Sequence, residues 1–297
     1  MMNRKGTRDF EWPSNYKATV CFTWDVDGES AQYFRNPDQA KNQTSELVQR
    51  SYGPEVGIWK ILDLLDKYSL KATFYVPGYT ANLHPETTNA IVERRHAIGI
   101  HGYMHETMDN LTEEQEREMF RLSIQSLRKY TNFTPRIFRS PSFELNRRTP
   151  GLLLENGIVS DSSLMGDDFP YVIDVPAGNL IELPVQWILD DFEFWGHTKS
   201  NRQKSIIDPT TTLNTWIKEF EGIYKSGGIF VLTMHPFVSG RWTYIDVIER
   251  LIRYILGFPE VWVASVEQVT NYCLEALHAP YMVHRELPSP VPIDFKI

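Results

Sequence analysis

The stretch Thr23-Trp24-Asp25-Val26-Asp27-Gly28-Glu29 follows an apolar run, Ala18-Thr19-Val20-Cys21-Phe22, that is typical of a buried strand. Alternate residues of an extended chain point to the same side, so the carboxylates of Asp25 and Asp27 are expected to face one point. Gly28 then permits a sharp turn. Two acids aimed at one point are unfavourable unless they share a metal, another cation or a proton. The stretch therefore predicts a functional strand end, with an acid-rich turn as the alternative.

Strands and helices alternate about eight times along the chain. The predicted strands are Ala18–Asp25, Ala72–Val76, Ile98–Ile100, Arg136–Arg139, Ile158–Asp161, Leu180–Leu183, Ile229–Met234 and Val261–Ala264. Such alternation predicts an α/β fold with a parallel sheet, and the count favours a barrel of seven or eight strands. The polar segment 30–54 contains Pro and Gly and is expected to be a long loop over one face.

No linker divides the 297 residues, so we expect a single catalytic domain over 1–297. Its core is predicted to span about 17–277, with an N-terminal arm at 1–16 and a proline-rich C-terminal tail at 278–297. Hydrophobic residues make up 42% of the chain and charged residues 23%, which is ordinary for a globular enzyme. The net charge of -8 argues against nucleic acid as a partner.

Cysteine use and the chain start indicate the compartment. The two cysteines, Cys21 and Cys273, do not form a disulfide framework, which favours a reducing compartment. The basic N-terminus is not followed by the apolar segment of a signal peptide, and no run of eighteen apolar residues exists. We therefore expect a cytoplasmic protein without a membrane partner.

Six chemically versatile residues fall at the ends of predicted strands: Asp25, Asp27, His101, Arg139, Asp161 and His235. In barrels of this kind, the catalytic groups lie at the carboxyl ends of the strands. A random scatter of polar residues would not produce this concentration. The pattern therefore favours an enzyme over a binding module.

His101 and His105 are four residues apart, a spacing that would place both imidazoles on one face of a helical turn. Together with Asp27 they form a set of two histidines and one carboxylate that leaves coordination positions open. Zinc accepts this set, as do cobalt, nickel and manganese. We predict one divalent metal ion, most naturally zinc; the alternative is a pair of surface histidines.

The remaining residues suggest a hydrolytic mechanism. A divalent metal acidifies water and polarises a carbonyl, Asp25 is placed to take the proton of the water, and His235 could protonate a leaving amine. Arg139 could keep Asp25 ionised, and backbone N–H groups near Ser142 and Phe143 could stabilise an oxyanion. The alternatives are a surface salt bridge for Arg139 and a hydrogen-bonded core histidine for His235.

The ordered motifs resemble the polysaccharide deacetylase superfamily, also called the NodB-homology or carbohydrate esterase 4 group. The matching stretches are Thr23-Trp24-Asp25-Val26-Asp27-Gly28, His101-x-x-x-His105, Phe138-Arg139-Ser140-Pro141, Ser160-Asp161-Ser162-Ser163-Leu164 and Leu232-Thr233-Met234-His235-Pro236. The resemblance implies a distorted (β/α) barrel and metal-dependent hydrolysis of an amide. It also implies that Asp25 is the base, that Asp27, His101 and His105 hold the metal, that Arg139 tunes the base and that His235 is the acid.

The position of Val26 assigns the chain to a branch of that group. Val26 separates the two acids, as in an intracellular branch that resembles Helicobacter peptidoglycan-deacetylase-like proteins. The resemblance to this branch implies a homo-oligomer, either a dimer or a tetramer. The proline-rich tail could form part of the contact between its subunits. The family also has an aspartate that tunes the acid. Asp161 is the first candidate for this role, and Asp167 and Asp168 are the others.

Three functions compete at this point. The first is removal of acetyl from an N-acetylated sugar, which the family favours. The second is hydrolysis of a small cyclic amide, as in the allantoinase and cyclic imide hydrolase relatives, and the third is an inactive metal-binding scaffold. The lack of a signal peptide favours a small molecule over an extracellular polymer. So does an aromatic stretch that could close over the site: Phe169, Tyr171, Trp187, Phe192, Phe194 and Trp195.

Overall fold

One mostly parallel sheet organises the computed structural model, which describes residues 10–35, 37–201 and 203–288. Its strands are β1 (Ala18–Asp25), β2 (Thr73–Val76), β3 (Ala97–Ile100), β4 (Ile137–Phe138), β5 (Ser160–Asp161), β6 (Tyr171–Val175), β7 (Gly178–Glu182), β8 (Ile229–Met234), β9 (Val261–Val263) and β10 (His284–Arg285). They are hydrogen-bonded in the order β10-β6-β7-β5-β4-β3-β2-β1-β8, and β9 also pairs with β1. Only the β6–β7 hairpin is antiparallel among these described strands. The predicted α/β fold with a parallel sheet is confirmed.

Helices cover the sheet between successive strands. They are α1 (Ser30–Arg35), α2 (Pro37–Ala40), α3 (Thr44–Tyr52), α4 (Ile58–Lys67), α5 (Gly78–Leu83), α6 (Pro85–Glu93), α7 (Glu113–Thr131), α8 (Thr149–Glu155), α9 (Asp191–Trp195), α10 (Pro209–Ser226), α11 (Pro236–Ser239), α12 (Trp242–Leu256) and α13 (Val266–Glu275). Helix α7 begins at a capping box, in which Thr112 and Gln115 each accept a hydrogen bond from the other's backbone N–H. This cap satisfies two N–H groups that would otherwise lack partners.

Strand β1 pairs in parallel with β2, β8 and β9, and all eight of its residues are buried. Val20, Phe22 and Trp24 pack in one hydrophobic cluster and Cys21 in another, so both faces of the strand are covered. A parallel strand buried on both faces is expected to be apolar almost throughout, which explains the run from Ala18 to Phe22. The same burial brings Asp25, the last residue of β1, into the interior.

The segment 30–54 was predicted as a loop, and this prediction is wrong. It contains α1, α2 and α3 and runs into a π-helical turn, Gly53–Gly57. A Cβ atom on Gly53 would lie 2.9 Å from the backbone nitrogen of Phe237, and one on Gly57 would lie 2.2 Å from the carbonyl oxygen of Pro236. The segment therefore packs against α11 through close backbone approach rather than through an apolar stripe, which is why its composition resembles that of a loop.

The ends of the chain are only partly described. Trp12 is buried, and its indole N–H donates to the carbonyl of Gly227 at 2.7 Å, so this part of the predicted arm packs into the fold. Residues 1–9 and 289–297 lie outside the described residues, and with them the last nine of the twenty residues of the predicted tail. None of the described helices is both long and apolar enough to cross a membrane.

Candidate metal centre and active site

The two acids at the end of β1 converge as their spacing predicts. The N–H of Val26 donates to the carbonyl of Tyr75 at 2.8 Å, so the parallel register continues one residue beyond the strand. Oδ2 of Asp25 lies 3.8 Å and Oδ1 of Asp27 3.5 Å from Nε2 of His101. Gly28 then turns the chain with a φ of +56°. The extended backbone at Val26 is therefore what directs both carboxylates to one point.

The histidine pair lies on a loop, so the predicted helical turn is wrong. Gly102 and His105 adopt left-handed φ values of +71° and +64°, and the two imidazole centroids end 5.1 Å apart. The Glu106 carboxylate accepts the N–H groups of Tyr103 at 2.8 Å and Met104 at 2.9 Å and so fixes the loop. Two left-handed residues bend the chain enough to bring the imidazoles together without a helix.

Asp27, His101 and His105 offer buried donor atoms that all lie within 4.8 Å of one another. Nδ1 of His101 lies 2.9 Å from the carbonyl oxygen of Arg139. A carbonyl only accepts, so Nδ1 carries the hydrogen and Nε2 presents its lone pair toward Asp27. Oδ1 of Asp27 is buried and has no hydrogen-bond partner among the described residues. These features fit a divalent cation.

The electrostatics of the three donors favour cation binding. Burial lowers the pKa of His105 to about 3, so its imidazole is neutral. Burial would raise the pKa of Asp27, but the neighbouring imidazoles outweigh it and hold the pKa below its usual range. Burial lowers the pKa of His101, while Asp25 and Asp27 together raise it above its ordinary value. A cation that binds here therefore competes with a proton for Nε2 of His101.

Asp25 is held by a fully buried arginine. Nη1 of Arg139 donates to Oδ1 of Asp25 at 2.9 Å and to the hydroxyl of Thr23 at 2.8 Å. Its other nitrogens donate to the carbonyl and the hydroxyl of Ser162, and its guanidinium lies over the ring of Tyr75 at 4.3 Å. The ion pair keeps Asp25 oriented with its second oxygen toward His101.

His235, at the end of β8, is oriented by Asp191. Oδ1 of Asp191 lies 2.7 Å from Nδ1 of His235, and Oδ2 accepts the backbone N–H of the same histidine at 2.9 Å. Asp190 lies 3.7 Å from Nδ1, and its side chain accepts the N–H of Phe192 as the cap of α9. Burial lowers the pKa of His235, but Asp191 and Asp190 outweigh this and raise it to about 10. The imidazole is therefore protonated and carries a proton to donate.

The aspartate predicted to tune His235 is a different one. Asp161 accepts the hydroxyl of Ser163 at 2.6 Å and lies beside Glu182, and Asp167 pairs with Arg285. Asp168 is exposed. None of the three forms a hydrogen bond or ion pair with His235. The carbonyl of Asp168 accepts the N–H of Ile229 at the start of β8, whereas His235 follows the other end of that strand. The partner of His235 is Asp191, which lies in the stretch 185–208. The sequence signal available there was the pair Asp190-Asp191, since aspartate is a common helix cap and a short helix follows.

Two residues of the loop that was predicted to stabilise an oxyanion, Ser142 and Phe143, lie at the cavity. Both residues have a φ of +59°. The N–H of Phe143 already donates to the carbonyl of Ser140 at 3.0 Å. Ser142 is therefore the better candidate for an oxyanion donor.

A cavity of about 190 Å³ joins these groups. Besides the acids and histidines, it is lined by the aromatic side chains of Phe143, Trp187 and Phe192 and by two arginines, Arg35 and Arg50. Of the predicted aromatic cover, Trp187 and Phe192 do reach the cavity, whereas Trp195 packs in the core against Trp216 and Tyr244. Neither arginine belongs to a motif that could be recognised in the sequence.

Sequence comparisons relate the chain to known deacetylases. The sequence model of the polysaccharide deacetylase family matches residues 51–159. The chain is 30% identical to a peptidoglycan deacetylase of Helicobacter pylori, over 85% of its own length and 96% of that protein. It is 24% identical to a peptidoglycan deacetylase-like protein of Gibberella zeae, over 84% of its own length and 82% of that protein.

Comparison with solved structures gives the same picture. A Mycobacterium smegmatis protein assigned to the polysaccharide deacetylases is 34% identical, with a TM-score of 0.91 over 97% of this chain and 99% of that one. The allantoinase PuuE has a TM-score of 0.80 over 91% and 94% of the two chains, at 20% identity. The latter likeness concerns the fold alone.

Proposed function

The chain belongs to the polysaccharide deacetylase family, and on that ground we propose that it is a metal-dependent hydrolase of non-peptide carbon–nitrogen bonds. The reaction proposed first is removal of an acetyl group from an N-acetylated sugar or a similar acetamide. The observation that carries this is the meeting of three groups in one cavity: two histidines with an aspartate, a carboxylate held by arginine, and an imidazolium held by aspartate. An inactive scaffold is disfavoured because every role is filled.

Asp27, His101 and His105 would hold the metal. A divalent cation there supplies Lewis-acid chemistry, which polarises a carbonyl and acidifies a water molecule. We propose zinc first, with cobalt, nickel or manganese as substitutes that the same donors accept. The buried, unpartnered oxygen of Asp27 and the fixed tautomer of His101 support this assignment.

Asp25 acts as the general base in this proposal. Arg139 occupies one of its oxygens, and the other faces His101 and the cavity. The free oxygen can therefore accept a proton from a water molecule beside the three donors. Because Arg139 has no accessible surface and four further contacts, it keeps Asp25 in that orientation.

His235 acts as the general acid. Its Nδ1 is bound to Asp191, so Nε2 is the nitrogen left to face the substrate. An imidazolium protonated at neutral pH can transfer this proton to the amine that leaves when the carbon–nitrogen bond breaks. The backbone N–H of Ser142 would stabilise the negative oxygen that develops on the carbonyl.

The small cavity supports a second candidate, a cyclic amide such as an imide or a hydantoin. Pockets for drug-sized ligands usually measure about 300–1,000 Å³, and the cavity here is about 190 Å³. Three aromatic side chains also form part of its wall. These features suit a small, flat molecule better than a long polymer.

A substrate panel tests the proposal. Metal-loaded protein is assayed with N-acetylglucosamine oligomers, allantoin, succinimide and hydantoin, with acetate release and ring opening as separate readouts. Turnover of a sugar supports the first candidate, and turnover of a cyclic amide alone supports the second. No turnover of any of them with full metal loading would contradict a hydrolase of these classes.

Two variants test the assigned roles. We expect Asp25→Asn to keep the metal and lose turnover, because its side chain is held by Arg139 and is not among the three donors. His101→Ala should lose both. Equal metal loss in the two variants would contradict the division between base and ligand.

Two broader properties follow from the sequence and its resemblance and are proposed on that basis. A homo-oligomer, a dimer or tetramer, is expected from the Helicobacter-like branch, and sedimentation as a monomer would refute it. Cytoplasmic location is proposed from the cysteine use of the chain, and fractionation of cells that produce the protein tests it.

A further inference from the structure

Arg50 is a buried arginine that pairs with none of the acids that the structure describes. It lies on α3, has 3% of its surface exposed and lines the cavity. Its Nε is buried without a hydrogen-bond partner, and no described residue forms a hydrogen bond or ion pair with its guanidinium. The ring of Phe237, 5.1 Å from the guanidinium carbon, is its contact on one side. Arginine is almost never buried unless it is paired, because the desolvation of an unpaired charge is costly.

The acids near Arg50 do not neutralise it. Burial lowers the pKa of its guanidinium, and the carboxylates of Asp27 and Glu46 offset this only in part. Glu46 accepts the N–H of Lys199 at 2.6 Å and so has another partner. Asp27 belongs to the proposed metal site, and a divalent cation would more than neutralise its single charge.

The other charges of the cavity are also assigned. Asp25 is paired with Arg139, and Asp191 with His235. Of the other acids at α9, Glu193 is paired with Lys204, and Asp190 accepts the N–H of Phe192 beside His235. Arg35 adds a second positive charge to the cavity wall. With the metal bound, the end of the cavity formed by α1 and α3 therefore carries excess positive charge and a guanidinium that finds no acceptor within 10–35, 37–201 and 203–288.

We propose that Arg50 binds a carboxylate of the substrate, so that the amide which is hydrolysed belongs to a small anionic molecule. This rests on the proposed function, because Arg50 lies in the same cavity as the hydrolytic groups. The planar guanidinium fork matches a carboxylate with two parallel hydrogen bonds, and burial strengthens these bonds. Arg35 attracts the same charge from the exposed side of the cavity.

The proposal is tested with matched pairs of amides. N-acetylglycine, N-acetyl-β-alanine and N-acetyl-4-aminobutyrate are each compared with the corresponding carboxamide, which has the same shape and no charge. The series scans the spacing between the amide and the carboxylate. Binding is measured by calorimetry on metal-loaded protein, and hydrolysis is measured separately.

We expect at least one acid to bind about 10- to 100-fold more tightly than its carboxamide, as hydrogen bonds to a buried charge do. Arg50→Gln should abolish this preference, and Arg50→Lys should restore it in part. Arg253→Gln, which makes the same charge change on the exposed side of α12, should keep the full preference. Arg50→Gln should also melt no lower than the wild type, because no described residue forms a hydrogen bond or ion pair with the guanidinium that it removes.

The outcomes separate this proposal from the proposed function. Equal binding of acid and carboxamide in every pair, or a preference that survives Arg50→Gln, overturns the carboxylate site even if the substrate panel is turned over. A clear drop in the melting temperature of Arg50→Gln with no loss of preference also overturns it, since Arg50 would then be structural. An Arg50-dependent preference without hydrolysis of any amide supports the site and contradicts the hydrolase.

Discussion

Replacing Asp191 by asparagine should disable the proposed general acid while leaving the metal site intact. The two oxygens of Asp191 accept different hydrogens of His235, one from Nδ1 at 2.7 Å and one from the backbone N–H at 2.9 Å. Asparagine has one oxygen. If that oxygen keeps the backbone N–H, its NH₂ group faces Nδ1, which must then accept, and the imidazole becomes neutral with its proton on Nε2. If the asparagine oxygen instead accepts from Nδ1, the NH₂ group of asparagine faces the backbone N–H of His235, and both groups are donors.

The size of the effect follows from the charge that is lost. Asp191 is the largest of the groups that act against burial to hold the pKa of His235 at about 10. A neutral imidazole cannot donate its only proton readily, so the contribution of general acid catalysis disappears. That contribution is typically about 10²- to 10⁴-fold in rate, or about 2.7–5.4 kcal/mol. We expect kcat to fall within this range.

Asp190→Asn is the matched control. Asp190 lies 3.7 Å from Nδ1 without a hydrogen bond, and an asparagine oxygen can still accept the N–H of Phe192 at the start of α9. Its kcat should change less than about 10-fold, since it keeps the Asp191–His235 bond. Metal content and thermal melts are measured for both variants. Activity of Asp191→Asn within threefold of the wild type, or an equal loss in Asp190→Asn, would refute the reasoning.

Two further predictions concern stability. Burial and, to a lesser extent, the neighbouring Asp161 raise the pKa of Glu182 well above its ordinary value. The folded protein therefore holds a proton that the unfolded chain releases. As a consequence, the free energy of unfolding falls as pH rises from about 4.5 toward the pKa of the folded state. The glutamine of Glu182→Gln needs no proton and can still accept from the N–H groups of Ser163 and Leu164. The stability of this variant relative to the wild type should therefore grow by up to about 1.4 kcal/mol per pH unit, as measured by urea unfolding at pH 5 and 8. A stability difference that does not vary with pH would argue against a shared proton. Gly102→Ala should lower the free energy of unfolding by about 1–2 kcal/mol and weaken metal binding. The reason is that φ at Gly102 is +71° and the new Cβ would lie 2.8 Å from a carboxylate oxygen of Glu106. Unchanged melting and metal content would show that the histidine loop tolerates a side chain at this position.

The features that could be predicted from the sequence are those set by local pattern. Strand β1 is buried on both faces, so its apolar run and the alternation of Asp25 and Asp27 could be interpreted directly. The spacing of His101 and His105 indicated that the two imidazoles lie together, but for the wrong reason, because they lie on a loop and not on a helical turn. The φ of single residues, such as the left-handed Gly102, leaves no periodic signal in a sequence.

The features that were missed depend on contacts between distant segments. Asp191 reaches His235 because the chain beside it pairs with β8 through a single parallel bridge between Asp190 and Thr233. No pattern around position 191 contains that information. Arg50 was missed because the segment that carries it packs through glycines against α11, so its helices lacked an apolar stripe.

Arg139 has two contacts whose combination matters. Its guanidinium holds Asp25 at 2.9 Å, and its backbone carbonyl holds Nδ1 of His101 at 2.9 Å. The proposed base and one of the proposed metal ligands thus contact the same residue, although they belong to different segments, the end of β1 and the loop after β3. A displacement of Arg139 would therefore act on Asp25 and His101 at once. The relative position of these two groups is coupled through one buried residue, which contacts the first through its side chain and the second through its backbone.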